Sequence, residues 1–162
     1  MQPVYDAFFR HLSQIDTLPS APEDAERLRQ ALAELRLSPL SAGAESRSVL
    51  LPELRGSTRF SSLRIGADSV ELTIDGVPHR LPYLTDGWAP ARFPGSEEAC
   101  LVSGAWTRPD RFELCCELCG DFSCTLKLFV QLDGAVASVR TVASLGEFQA
   151  GWNGDAWGHV AN

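Results

Sequence analysis

The sequence predicts a mainly β protein, in which an antiparallel meander of about seven or eight strands closes into a small barrel after two N-terminal helices. Three observations favour this class. Residues 111–143 contain three runs of alternating apolar and polar residues. Asp75-Gly76 and Asp133-Gly134 each separate two such runs, as two-residue hairpin turns do. The runs also follow one another directly, and closure into a barrel would remove open sheet edges.

The N-terminal part has helical signals. Apolar residues recur at helical spacing in residues 3–15 and predict a short amphipathic helix. The segment from Ser20 to Glu23 has the form of a capping box, with Pro22 in the first turn, and predicts a second helix over 22–36. We therefore divide the chain into a helical pair with its linker at 1–48, a β domain at 49–146 and an irregular tail at 147–162.

The first strands are predicted at 54–60, 62–65 and 70–74. The Asp75-Gly76 turn then pairs Ile74 with Val77, Leu72 with His79 and Val70 with Leu81. Prolines in the return strand, at 78 and 82, place it at a sheet edge or a bulge, because proline cannot donate to the ladder. Residues 84–99 are expected to be irregular, and the sheet resumes at 100–106.

The last three strands are predicted at 111–118, 122–132 and 135–143. With Asp133-Gly134 as the loop, Val130 pairs with Ala137. A three-residue loop at 119–121 sets Cys116 opposite Cys124. This register gives one dry face and one wet face. The wet face carries Glu113, Glu117, Lys127 and Arg140.

Composition restricts the partners and the compartment. The 162 residues carry a net charge of -7, and no Lys/Arg cluster is present to neutralise phosphates, so a nucleic-acid or anionic-membrane partner is not expected. No apolar run is long enough to span a bilayer. Asp6, Arg10 and His11 interrupt the start of the chain, which excludes the apolar centre of a secretory signal. With an odd count of 5 cysteines, a cytoplasmic protein is expected.

Several short motifs occur in a fixed order: the capped helix, the strand LRGSTRF at 54–60, the Asp-Gly hairpin, Asp86-Gly87-Trp88 and SGAWT at 103–107. Together they resemble the C-terminal accessory domain that follows the catalytic domain in some serine hydrolases of the β-lactamase and penicillin-binding-protein group. The resemblance covers residues 20–146 and implies a lipocalin-like barrel. Residues 3–15 would then correspond to the last helix of a catalytic domain, or to the connector after it. The aromatic-acidic turn of that family is replaced here by Cys119-Gly120-Asp121.

The catalytic motifs of that group are absent from the sequence. Its chemistry depends on a Ser-x-x-Lys motif, but Lys127 is the only lysine and Cys124 stands three residues before it. Neither Tyr5 nor Tyr83 has the Asn or Ser two residues later that the tyrosine motif requires. The resemblance therefore implies a non-catalytic module without a cofactor. Its partner would be a serine-hydrolase catalytic domain, or a second copy of this chain bound through residues 3–15.

A different class of function is a free-standing protein that binds a small hydrophobic ligand inside the barrel. The register predicts the residues that would line such a cavity. They are His79, Leu72, Cys116, Cys124 and Trp106. For His79 the simpler interpretation is a core histidine, or one at the barrel mouth, with a hydrogen-bond partner. A nucleophilic Cys116-His79 pair is a weaker alternative.

The cysteine group and the tryptophans each permit more than one interpretation. Core packing, a zinc site made by Cys116, Cys119 and Cys124, and a reversible Cys116–Cys124 disulfide are all compatible with the spacing. The tryptophans would form either a sugar platform or part of the packing. They are Trp88, Trp106, Trp152 and Trp157. The adjacent Glu97 and Glu98 are expected to be solvated in a loop.

Overall fold

The computed structural model describes residues 37–119, 123–144 and 151–161, together with Glu23, Glu26 and Arg27. The chain divides into two compact units, Met1–Leu37 and Ser38–Asn162. In the first unit Glu23, Glu26 and Arg27 are helical, within the helix predicted for 22–36. The helix predicted for 3–15 lies outside the described residues. None of the helical residues described belongs to a helix with the length and hydropathy required to span a membrane.

In the second unit the described strands form two antiparallel sheets. The small sheet has the order β1-β3-β4-β5 and contains β1 (Val49–Leu51), β3 (Ser62–Ile65), β4 (Ser69–Ile74) and β5 (Val77–Pro82). The large sheet has the order β2-β11-β10-β9-β8-β7-β6. Its strands are β2 (Leu54–Gly56), β6 (Ala89–Arg92), β7 (Ala99–Arg108), β8 (Arg111–Cys119), β9 (Ser123–Asp133), β10 (Val136–Ala143) and β11 (Gly154–His159). The predicted mainly β, antiparallel class is confirmed.

The predicted barrel closure is not found in the described part of the chain, where the strands remain in two separate sheets. The composition of the edges explains this difference. β5 is an edge of the small sheet, as its prolines predicted, and β6 is an edge of the large sheet. Pro78 and Pro82 in β5 and Pro90 in β6 have no N–H group to donate. A continuous hydrogen-bonded ladder between these two edges is therefore unfavourable.

The two sheets share one hydrophobic core. Its members include Leu63 and Val70 of the small sheet and Phe112, Leu114 and Val130 of the large sheet, each at most 2% exposed. The Phe112 ring lies 5.5 Å, centroid to centroid, from both the Tyr83 and the Trp106 rings. Burial of apolar side chains on this scale is the main stabilising term for a domain of this size.

The Asp75-Gly76 hairpin has the register that the sequence predicted. Ile74 pairs with Val77 and Leu72 pairs with His79. Both turn residues have positive φ, 50° at Asp75 and 80° at Gly76. Two positive φ values are what a type I′ turn requires, and Asp-Gly meets that requirement with little strain.

The other two predicted registers are wrong by two residues. Val130 pairs with Val139 rather than Ala137, because the turn residues are Gly134 and Ala135. The φ of 60° at Gly134, the first central position, is typical of a type II′ turn. In the preceding hairpin Cys116 lies opposite Leu126, not Cys124. A slip of two residues preserves the face to which each side chain points, so the predicted dry and wet faces are confirmed.

Three strands lie where the sequence predicted none. β1 is too short to show a period, and β6 contains a proline. β11 lies in the predicted irregular tail and pairs with both β10 and β2. The tail is further fixed by Trp152, which is 2% exposed and packs edge-on against Phe93 at 5.0 Å between ring centroids.

Gly104 in β7 gives a direct test of the core. A Cβ atom added there would lie 2.8 Å from the Tyr83 ring, and the Tyr83 hydroxyl is held by a 2.8 Å hydrogen bond to the Gly66 carbonyl. We expect Gly104→Ala to lower the free energy of unfolding in urea by about 1–3 kcal/mol through overpacking. Gly151→Ala, which would meet nothing within 4 Å, is the matched control. Equal stability of the two variants would contradict this description of the core.

Candidate functional site

Four of the five predicted cavity residues are part of the core. Leu72, Cys116, Cys124 and Trp106 are at most 4% exposed and belong to the core cluster. His79 is half-buried on the edge strand β5, opposite Leu72. Two pockets on the described surface are lined instead by residues that include Arg55, Arg111, Arg140 and Trp157.

All 5 cysteines lie within the described ranges, and none forms a disulfide. Cys119 is exposed, whereas the other cysteines are buried. Cys116 lies opposite Leu126 and Cys124 lies opposite Leu118, so the predicted Cys116–Cys124 pair is wrong. Cys124 donates to the Ser144 carbonyl oxygen. The arrangement that we observe is core packing with local hydrogen bonds.

Two of the buried thiols, Cys115 and Cys116, are held in the protonated form. The hydrogen bond with Cys100, followed by burial, raises the pKa of Cys116. Burial, with the charge of Glu117, raises the pKa of Cys115 to about 12. Because the thiolate is the nucleophile and the metal ligand, neither group is activated at neutral pH. Among the described residues, no group of three or more His, Cys, Asp or Glu side chains is arranged to hold a metal ion.

The SGAWT motif has a clear structural role, which involves the segment before β1. We name residues 38–47 the strap. β6 pairs with β7 only as far as Val102, so the edge of β7 is open from Ser103 onward. The strap covers this edge. Gly43 and Ala44 donate their amides to the Trp106 carbonyl oxygen at 2.9 and 3.0 Å.

A second segment, at residues 84–86, completes the edge. The Leu84 carbonyl oxygen accepts the Gly104 amide at 3.1 Å and the Ser103 hydroxyl at 3.2 Å. Ser103 Oγ in turn accepts the Leu40 amide of the strap at 2.8 Å. Asp86 donates its amide to the Leu40 carbonyl oxygen at 2.9 Å. Two motifs of the resemblance, at 86–88 and 103–107, therefore meet around the strap.

Trp106 fixes the other end of the strap. Its ring is in the core, while its indole N–H donates to the Arg47 carbonyl oxygen at 3.1 Å. The Arg47 guanidinium lies 4.6 Å from the ring centroid, within the range of a cation–π contact. Reasoning from the sequence assigned Trp106 to a cavity and missed this role. The sequence has no signal for it, because the close approach of Gly43 to β7, where a Cβ would clash with the Thr107 carbonyl oxygen, is visible only in the structure.

The other predicted site residues are dispersed. Trp106 and Trp152 are buried in the core and Trp88 is half-buried, whereas Trp157 is 46% exposed on β11. Glu97 and Glu98 are exposed. A platform made of all four tryptophans is therefore not formed.

We compared the chain with protein-family models, with curated proteins and with solved structures, and none of the three comparisons found a match.

The thiols provide a test with a clear pH dependence. We expect a disulfide exchange reagent at pH 8 to modify Cys119 rapidly in the native protein and the other four cysteines only after denaturation in guanidinium. With a pKa of about 12, Cys115 is thiolate in only about one molecule in ten thousand at pH 8. Cys119→Ser should abolish the rapid phase. Rapid native modification of Cys116 would contradict its burial and its protonated state.

Proposed function

We propose that this chain is a non-catalytic accessory module that packs on a serine-hydrolase catalytic domain. The resemblance of residues 20–146 motivates the proposal, and the anchored strap is the observation that carries it. The motif residues Ser103 and Trp106 supply hydrogen bonds that hold a connecting segment, rather than groups that would react with a substrate.

The strap supports a module with a fixed entry point. Leu40, Gly43, Ala44 and Arg47 are each hydrogen-bonded to β7. Each such bond contributes about 1 kcal/mol, and together they restrict motion of the segment that precedes β1. A module that shapes access to the active site of a partner must keep a defined orientation, and a flexible linker would not provide one.

The chemistry of the chain also favours a non-catalytic role. The sequence lacks Ser-x-x-Lys, and the buried Cys115 and Cys116 thiols remain protonated. A ligand in the interior has less support, because Leu72, Cys116 and Trp106 occupy that space with at most 2% exposure. The proposed partner is a catalytic domain, and a second copy bound through residues 3–15 is the alternative.

Ser103 tests the strap itself. Ser103→Ala would remove the acceptor of the Leu40 amide, and the Ser103 side chain is 0% exposed. We expect a loss of about 1–3 kcal/mol of stability and faster hydrogen exchange at Leu40, because a buried donor loses its partner. Ser61→Ala, which removes an exposed hydroxyl bonded to the Thr73 carbonyl oxygen, is the control. Unchanged exchange at Leu40 in Ser103→Ala would contradict the anchoring.

Titration calorimetry tests the function. The binding partner is a purified catalytic domain of the β-lactamase group, which comes from the organism that encodes the chain and has no accessory domain of its own. We expect a one-to-one complex that is weakened by Ser103→Ala and unchanged by Ser61→Ala. A fluorophosphonate probe should label the catalytic domain and not this chain. Stoichiometric labelling of this chain, self-association in place of a complex, or absence of binding would each overturn the proposal.

A further inference from the structure

The outer face of the large sheet contains a pocket that the proposed accessory role does not explain. It spans the neighbouring strands β8, β9 and β10 and has a volume of about 360 Å³. The side chains that line it include Arg111, Phe129, Gln131, Ser138, Arg140 and Val142. In the sheet register Phe129 lies between Glu113 and Arg140, and Gln131 lies between Arg111 and Ser138.

The lining combines two cations with an apolar floor. The Arg111 guanidinium lies 5.4 Å from the centroid of the half-buried Phe129 ring. Val142 is 39% exposed. No carboxylate lines the pocket, although the net charge of the chain is -7. Two guanidinium groups around exposed apolar surface favour an anion that also carries an apolar group.

The arginines keep donors available for such a ligand. Arg111 bonds Glu113 through Nε at 2.8 Å, and Arg140 approaches Asp155 through Nε at 3.8 Å. A guanidinium has five N–H donors. In both ion pairs the contact given is made through Nε, the one guanidinium nitrogen that is not terminal. The terminal nitrogens present the planar pair of donors that matches a carboxylate.

The surrounding charges favour a monoanion over a dianion. Glu113 and Asp155 lie beside the arginines, and Asp110 accepts a 2.7 Å hydrogen bond from Gln131 Nε2. These carboxylates would repel a phosphate dianion more strongly than a single carboxylate.

We propose that the pocket binds a small monocarboxylate, with the carboxylate between Arg111 and Arg140 and the apolar group on Phe129 and Val142. This proposal does not depend on the accessory role.

Phenylacetate, titrated into the ¹⁵N-labelled chain and followed by amide chemical shifts, tests the site. We expect saturable shifts centred on Phe129, Gln131 and Arg140. Phenylacetamide has nearly the same shape without the charge, and it should bind at least about fivefold more weakly, since it cannot form the ion pairs. Equal binding of the two compounds, or shifts that do not saturate, would overturn the proposal.

Substitutions then locate the site. Arg140→Gln should weaken phenylacetate binding by about fivefold, which is modest because the side chain is 69% exposed. The control is Arg64→Gln on the small sheet, where a smaller pocket also contains two arginines but includes Glu71. Equal weakening by both variants would show a general charge effect and contradict the site. If Arg140→Gln fails to fold, the comparison of the two compounds on the unaltered chain still decides.

Discussion

The fold depends on how the backbone groups at the open edge of β7 are satisfied. β6 covers this edge only as far as Val102, and an unpaired buried amide or carbonyl group costs about 1–3 kcal/mol. The strap and residues 84–86 supply the missing partners through Ser103, Gly104 and Trp106. The same strand contributes Val102 and the Trp106 ring to the core. Edge and core are therefore stabilised together, and loss of the strap would expose a strand that could pair with another chain.

Prolines in the edge strands β5 and β6 disfavour closure of the two sheets into a barrel. Pro78 and Pro82 lie in β5 and Pro90 in β6, so neither edge presents a full row of donors to the other. The space that a barrel would enclose is occupied by buried side chains such as Phe112 and Trp106. A binding site is therefore more favoured on the outer surfaces or at the strap than in an internal cavity.

The sequence predicted most strongly where local chemistry alone determines the structure. Asp75-Gly76 satisfies a type I′ turn, so its register was correct. At Asp133-Gly134 the glycine occupies the first central position, a choice that depends on pairing over the whole hairpin, and the prediction was wrong by two residues. The predicted faces were nevertheless correct, because the side-chain period of a strand is two residues and the error was also two residues. The predicted Cys116–Cys124 contact was wrong, since a cross-strand contact depends on the register. Strands held by long-range pairing, such as β11, gave no local signal.

Alternation also explains why the candidate ligand pocket is separate from the core. Along β9 the inward residues Leu128 and Val130 are buried, while Phe129 has the opposite parity and faces outward among arginines. A large apolar side chain on the solvent-facing side of a sheet contributes less free energy to folding than a fully buried one. Its parity is readable from the sequence, but its arginine neighbours come from β8 and β10 and become visible only when the strands are paired. Packing in the core therefore explains the buried cysteines of this sheet, but it does not explain the outward-facing Phe129.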